Sequence, residues 1–216
     1  ESKGADNDAS IFSSLYSDPV RLQEFMDAMS GIQTANFMVL ASWFDFNRYD
    51  TMADIGGADG SLCIQICRRH PDIACNTFDL PEVADVAARK ISQFNLDNRI
   101  EVLAGDFMSD PLPEVNVITM GNILHGLNEE SKQFLLNKIY KALPKNGVLI
   151  VIENIIDNDR RQNTFGLMMS LNMLIENGEA FDYTMNDFEG WASRAGFRRV
   201  EIMPLTGPAS AIIAYK

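Results

Sequence analysis

The stretch Asp54-Ile55-Gly56-Gly57-Ala58-Asp59-Gly60 carries the first chemical signal in this sequence. A strand-like run from Thr51 to Ile55 precedes it, and a helical run from Ser61 to Arg69 follows. Glycines between a strand and a helix let the backbone approach a ligand closely, because no Cβ intervenes. A dinucleotide site needs glycines at relative positions one, three and six. Counted from Gly56, the third and sixth positions hold Ala58 and Ser61. The Lys-Ser/Thr pair of a phosphate-binding P-loop is missing too. Asp54 and Asp59 stand in the stretch, and the next basic residue is Arg68. A pyrophosphate would meet like charge there, whereas a cation would meet opposite charge. S-adenosylmethionine carries a sulfonium and an ammonium and no phosphate, so it is the cofactor this loop favours. A plain tight turn is the alternative.

Two histidines are present. His125 ends the run Gly121-Asn122-Ile123-Leu124-His125, just beyond a strand-like segment. With an ordinary pKa near 6.5, an imidazole there is a base usable at about pH 7. A helix-capping or core histidine is the alternative. His70 lies in Arg68-Arg69-His70-Pro71 at a helix end, where a basic group complements the helix dipole and reads as structural. Carboxylates close other strand-like runs. Asp79, in Phe78-Asp79-Leu80, lies 22 residues after Gly57, near the spacing of a ribose-binding acid. Asp106, in Gly105-Asp106-Phe107, could accept from an adenine amino group while Phe107 stacks. Glu153 stands in Ile152-Glu153-Asn154. One such carboxylate is an ordinary surface cap. Several at strand ends that a parallel sheet would align point to a ligand crevice.

Strand–helix alternation must position these groups. Strands are predicted near 51–56, 73–79, 99–105, 115–120 and 147–154, with helices near 60–70, 81–94, 128–143, 163–176 and 185–195. This order implies an α/β fold with a mostly parallel sheet and right-handed crossovers, hence helices on both faces. The runs Arg198–Pro204 and Ala209–Tyr215 bring the sheet to seven strands, and Leu205-Thr206-Gly207-Pro208 suits an antiparallel C-terminal hairpin. Thr184 with Asp187 resembles a capping box. Ahead of the sheet, Asp18 and Pro19 start a helix bearing Leu22, Phe25, Met26 and Met29, and a second helical run covers roughly Gln33 to Phe44. The expected division is a polar tail or linker at 1–10, connecting helices at 11–47 and a catalytic domain at 48–216.

The chain has 216 residues, about one α/β domain, and 46% hydrophobic residues, enough for a large core. Its formal net charge of −12 and lack of a basic stripe argue against nucleic acid as a partner. Cys63, Cys67 and Cys75 form no zinc spacing, and no metal is expected. They read as buried thiols in a reducing cytoplasm. No apolar run reaches membrane-spanning length, and no signal peptide is visible. Starting at Glu1 without methionine, the chain reads as a piece of a longer protein.

Together these residues resemble the class I S-adenosylmethionine-dependent O-methyltransferases of the caffeic acid and acetylserotonin type, which include bacterial small-molecule enzymes. The likeness runs from about Phe25 to Lys216. It rests on Asp54-Ile55-Gly56-Gly57, Thr77-Phe78-Asp79-Leu80-Pro81, Gly105-Asp106-Phe107, Ile123-Leu124-His125, Ala142-Leu143-Pro144, Val151-Ile152-Glu153 and Ala195-Gly196-Phe197. Each piece is common; their order and spacing are specific. The resemblance implies a Rossmann-like fold with Asp54, Gly56, Gly57, Gly60, Asp79, Leu80, Asp106 and Phe107 binding S-adenosylmethionine. It implies His125 as catalytic base bracketed by Glu153 and Asp182, and Met29, Met173 and Asn177 lining the substrate pocket. It further implies a homodimer built through an N-terminal domain, and weak or no dimerisation for this chain alone. This chain departs from the family pattern at Ala58, where a third glycine is usual, and at Asp182, where Glu is usual. It has His125-Gly126-Leu127 for His-Asp-Trp, and Gly121 where many plant members have Lys.

The expected reaction is methyl transfer to a hydroxyl, phenolic in chemistry, on an aromatic small molecule. A phenol has a pKa of about 10, so a base is needed, and Glu153 is expected to hold the His125 imidazole in its tautomer. Met168, Met169 and Met173 with Phe165 and Phe181 suit a flat ring; core residues at helical spacing are the alternative. Two rival functions stand beside this one: a cofactor-binding module without turnover, and N-methylation, where a base matters less. A nicotinamide oxidoreductase ranks third.

Overall fold

The structure, a computed structural model, describes residues 18–216. The expected tail at 1–10 and the start of the connecting region lie outside the described residues. Helix α1 (Pro19–Trp43) begins where expected. The Asp18 carboxylate accepts from the backbone N–H groups of Val20 at 3.0 Å and Arg21 at 3.3 Å, and Pro19 takes a position whose N–H would be unsatisfied anyway. The expectation of two separate helices fails: α1 is continuous over 25 residues. Gly31 faces solvent, with nothing within 4 Å of where its Cβ would stand. It weakens the helix by about 1 kcal/mol. Burial of Leu22, Met26, Phe37 and Leu40 along one side outweighs that loss.

The sheet elements follow as β1 (Thr51–Ile55), α2 (Ser61–Arg69), β2 (Ala74–Asp79), α3 (Pro81–Gln93), β3 (Ile100–Ala104), β4 (Val117–Gly121), α4 (Glu129–Ala142) and β5 (Val148–Glu153). The chain then runs through α5 (Thr164–Asn177), α6 (Met185–Ala195), β6 (Arg199–Pro204) and β7 (Ser210–Tyr215). These bounds agree with the sequence expectation to within two residues. The seven strands lie in the order β3-β2-β1-β4-β5-β7-β6. The first five in that order are parallel, and β7 runs antiparallel to both β5 and β6.

Period-two alternation divides the core between two faces. Val148, Ile150 and Ile152 of β5, with Ala211 and Ile213 of β7, join the layer containing α1 and α2. Leu149 and Val151, with Ile212 and Ala214, join the layer of α4 and α6. Glu153 continues the second set, so its carboxylate is directed to the α4 and α6 side. Asp54 continues the parity of Met52 and points to the first. All five parallel strands end on one edge, and chain order reverses between β1 and β4. That is where an open α/β sheet forms its ligand crevice.

Candidate active site

The glycine loop sits at that crevice. Gly56 (φ 68°) and Gly60 (φ 76°) adopt left-handed backbone, and Ala58 does too, at φ 49°. The Gly56 N–H donates to the Phe78 carbonyl at 2.8 Å, tying the loop to the end of β2. A Cβ on Gly57 would lie 2.3 Å from Thr77 Oγ1 and 2.9 Å from the Asp54 carbonyl oxygen, so only glycine fits there. Beneath the loop, Asp54 is 5% exposed. Its Oδ1 accepts from the Thr119 hydroxyl at 2.7 Å, its register partner on β4. Burial drives the Asp54 pKa up to about 7; the Thr119 bond opposes this, and the charges of Asp79 and Asp59 add to it.

Asp59 corrects one expectation. It does not present a free carboxylate to a ligand: it is 1% exposed, pairs with Lys90 at 2.5 Å and accepts from Ser30 of α1. The Ser61 backbone N–H donates to it at 3.1 Å. It clamps α1, α2 and α3 together, leaving Asp54 as the acid beside the loop.

The other strand ends surround the loop. Asp79 accepts from the Ala58 N–H at 2.8 Å and the Leu80 N–H at 2.7 Å, one to each oxygen. A carboxylate oxygen has further lone pairs, so acceptor capacity remains. Burial raises the Asp79 pKa and the two N–H bonds lower it. Asp106 accepts from the Met108 N–H at 2.8 Å and the Ser109 hydroxyl at 3.1 Å, which fixes its turn. The Phe107 ring comes within 4.0 Å of where a Gly56 Cβ would stand, so it borders the loop. Ile123, two residues before His125, packs against the same glycine.

His125 lies on a single 3-10 turn, Leu124–Gly126, that follows β4. Its side chain is 12% exposed, and Nδ1 stands 3.5 Å from Oδ1 of Asp182, whose side chain is 1% exposed. Glu153 accepts from the His125 backbone N–H at 3.1 Å. Both acids lie against His125 as expected, but it is Asp182 that faces the imidazole, while Glu153, expected to hold the tautomer, holds the turn that carries it. Burial lowers the His125 pKa, but Asp182 and Glu153 more than offset that, and the net shift is upward. Burial also raises the Glu153 pKa. The Tyr183 hydroxyl lies near Glu153 without completing a bond.

Among the described residues, six buried side-chain polar atoms lack a hydrogen-bond partner. Five belong to this site: His125 Nδ1, Glu153 Oε2, both Asp182 oxygens and the Tyr183 hydroxyl. Buried polar groups are almost always paired, and an unpaired one costs roughly 1–3 kcal/mol. Such a concentration is confined to the group around His125.

Comparison with known proteins fits this geometry. The family model for the O-methyltransferase domain matches residues 4–198. The chain belongs to the O-methyltransferase family. The tetracenomycin polyketide synthesis 8-O-methyl transferase of Streptomyces glaucescens is 33% identical over 201 residues, covering 93% of this chain and 59% of that protein. Human N-acetylserotonin methyltransferase, solved in complex with S-adenosylmethionine, superimposes with a TM-score of 0.87 at 30% identity, covering 95% of this chain and 58% of that one. PigF, solved with S-adenosylhomocysteine, gives 0.88 at 27% identity, covering 95% and 62%. The chain thus spans about six-tenths of the length of these relatives. The family is S-adenosylmethionine-dependent.

Around this candidate site the remaining expected residues divide. Asn177 is half-buried, and its Nδ2 is 3.8 Å from where a Cβ on Gly126 would stand, so it borders the His125 turn. Met173, one turn earlier on α5, is half-buried. Met29 is half-buried on α1 next to Ser30, which contacts the glycine loop through Asp59. The core alternative fails for Met168 and Phe165, which are 68% and 51% exposed. With Leu171, Leu174 and Ile175 they form an apolar exposed side of α5. His70 is structural as expected, its ring nitrogens meeting Asn47 Oδ1 and the Ala41 carbonyl. The sequence reading missed Lys132, which is fully buried beside the site. Its signal was present: Lys132, Leu135, Leu136 and Ile139 share one helical stripe, so a lysine occupies an apolar position.

Proposed function

We propose that this chain transfers a methyl group from S-adenosylmethionine to a phenolic hydroxyl of an aromatic small molecule, with His125 as general base. The observation that carries this reading is the cluster of unpaired buried polar atoms around His125, beside a glycine loop underlain by a strained acid. The loop fits the cofactor's charge. Among the described residues no cation contributes at Asp54, and Lys90, the base near the loop, is committed to Asp59. An ammonium or sulfonium would relieve the Asp54 carboxylate, whereas a pyrophosphate would aggravate it. The free lone pairs of Asp79 suit two ribose hydroxyls, and Asp106 with Phe107 suits an adenine.

When bound, the cofactor supplies an electrophilic methyl group on sulfur. The chain's task is to present an anionic oxygen to it. With Nδ1 turned to Asp182, Nε2 of His125 is the nitrogen left to take the phenol proton. Asp182 stabilises the imidazolium so formed, as the carboxylate does in a serine protease triad. Distances such as 3.5 Å in a ligand-free site commonly tighten in the complex. Met173 and Asn177 are assigned to the aromatic pocket. The apolar side of α5 is assigned to contact with a dimerisation region of the longer protein, within a homodimer, and the setting to the cytoplasm.

The test is turnover against pH with a phenol panel and labelled cofactor. The rate should rise as His125 loses its proton, through roughly pH 6 to 8, and then level. His125→Ala should lower kcat by about a hundredfold or more while cofactor affinity stays nearly intact. Retention of most of the activity would remove His125 from the role of base and favour N-methylation. Cofactor binding with no turnover on any phenol would favour a binding module.

A further inference from the structure

Lys132 lies in the first turn of α4 with no exposed surface. Burying an ammonium is costly unless its charge and its donors are all engaged. Here Nζ donates to the Leu127 carbonyl at 2.5 Å and to the Phe181 carbonyl at 2.9 Å. Its remaining side faces the Phe181 ring at 3.5 Å from the centroid, with Tyr183 and Trp191 at 5.8 and 5.7 Å. The two carbonyls are not equivalent by chance of sequence. Leu127 closes the turn that carries His125, and Phe181 immediately precedes Asp182. The ammonium therefore bridges the two segments whose side chains meet at 3.5 Å.

Charge makes the second half of the argument. The groups facing Lys132 are Glu153 from β5, Asp182 from the α5–α6 connection, Glu129 from its own helix and Asp187 from α6. Glu129 is engaged with the Trp191 indole N–H, and Asp187 with the α6 cap and Arg160. Glu153 and Asp182 remain, and these are also the acids facing His125. Alone, two carboxylates would hold the imidazole protonated, and an imidazolium cannot accept a proton.

We propose that Lys132 is a positioning residue for the methyl-transfer site. It ties the His125 turn to the Asp182 segment, and its positive charge offsets the two buried carboxylates so that His125 can be neutral when substrate arrives. The proposal rests on the reading of His125 as base, and its test separates the two. Consistently, Lys132 lowers the His125 pKa, and burial lowers its own to about 8.

The experiment is an NMR titration of the imidazole ring protons, which needs no turnover. Only two histidines contribute, and His125→Ala assigns them. Lys132→Gln keeps a donor without charge, and Lys132→Arg keeps the charge. In Lys132→Gln the His125 midpoint should move up, and Lys132→Arg should bring it back toward wild type. The rising limb of the pH–rate profile should shift with the His125 midpoint, with kcat changed more than KM. An unmoved His125 midpoint in Lys132→Gln overturns the proposal. If that variant does not fold, the wild-type titration decides. The His125 ring should report a second inflection near pH 8 as Lys132 deprotonates, and a single inflection overturns the proposal. A shifted midpoint that the rate profile ignores would support the Lys132 coupling and overturn the base assignment.

Discussion

Asp54→Asn should stabilise the ligand-free protein at alkaline pH while weakening its hold on the cofactor. In the unfolded chain Asp54 ionises near 3.8, and in the folded protein near 7. Below 3.8 both states are protonated, and folding carries no penalty from this group. Between the two values the unfolded chain ionises while the folded protein stays protonated, so stability falls as pH rises; above about 7 the loss is complete. Three pH units at about 1.4 kcal/mol each give a ceiling of about 4 kcal/mol. Asparagine does not ionise, and its side-chain oxygen can still accept from Thr119 Oγ1. Urea unfolding of both proteins from pH 5 to 8.5 should show the variant gaining on wild type by about 2 kcal/mol or more across that range. Glu153 also has a raised pKa, but it contributes equally to both proteins and cancels in the difference; Asp79, whose charge helps raise the Asp54 pKa, loses that repulsion in the variant, which adds to the gain. A pH-independent offset would refute the argument, because it would mean that Asp54 is not protonated in the folded protein near neutrality. Binding supplies a second check. A cationic cofactor favours the ionised acid, so at about pH 6 wild-type binding should release a proton, seen calorimetrically as a heat that depends on buffer ionisation enthalpy. The variant should release less and bind more weakly.

Asp79→Ala should weaken S-adenosylmethionine binding at least tenfold, about 1.4 kcal/mol, and speed hydrogen exchange at Ala58 and Leu80; unchanged affinity by calorimetry would mean that Asp79 is not the ribose acid. Gly57→Ala should destabilise the protein by about 1–3 kcal/mol through overpacking against Thr77, lowering Tm, and a variant as stable as wild type would show that the β1–α2 turn has room the structure denies it. The apolar side of α5 should make the 216-residue chain self-associate weakly and nonspecifically; a tight, fully active dimer in sedimentation would contradict the assignment of that side to a region outside this chain.

Strand and helix positions were legible because apolar periodicity and turn chemistry agreed along the sheet, as at Asp18-Pro19 and in the Thr184 and Asp187 capping box. The N-terminal region was misread as two runs, and only tertiary burial of Leu22, Met26, Phe37 and Leu40 shows that one helix continues through it. Asp54, Asp79 and His125 could be singled out by their places at strand ends. The partition of roles could not. Asp59 reads like Asp54 until Lys90 is seen opposite it, 31 residues away in sequence. Glu153 and Asp182 could not be assigned separately to the turn and the imidazole, because that depends on which oxygen meets which nitrogen. Lys132 was legible as a charge on an apolar stripe, but its reason lies in carbonyls from two other segments.

The last strand of the chain is not the last strand of the sheet. β7 lies between β5 and β6, and Ala211, Ile212 and Ala214 are fully enclosed. Lys216 adds hydrogen bonds to the Tyr140 and Leu143 carbonyls. During synthesis, therefore, β5 keeps an unpaired edge until β7 leaves the ribosome. Glu153 sits at the end of that edge and pairs in register with Ser210. The nascent chain has to wait, with the described helices already made, for a strand that comes after all of them. Loss of Ser210–Tyr215 would leave β5 open to pairing with another chain, so quality control of this fold rests on that strand.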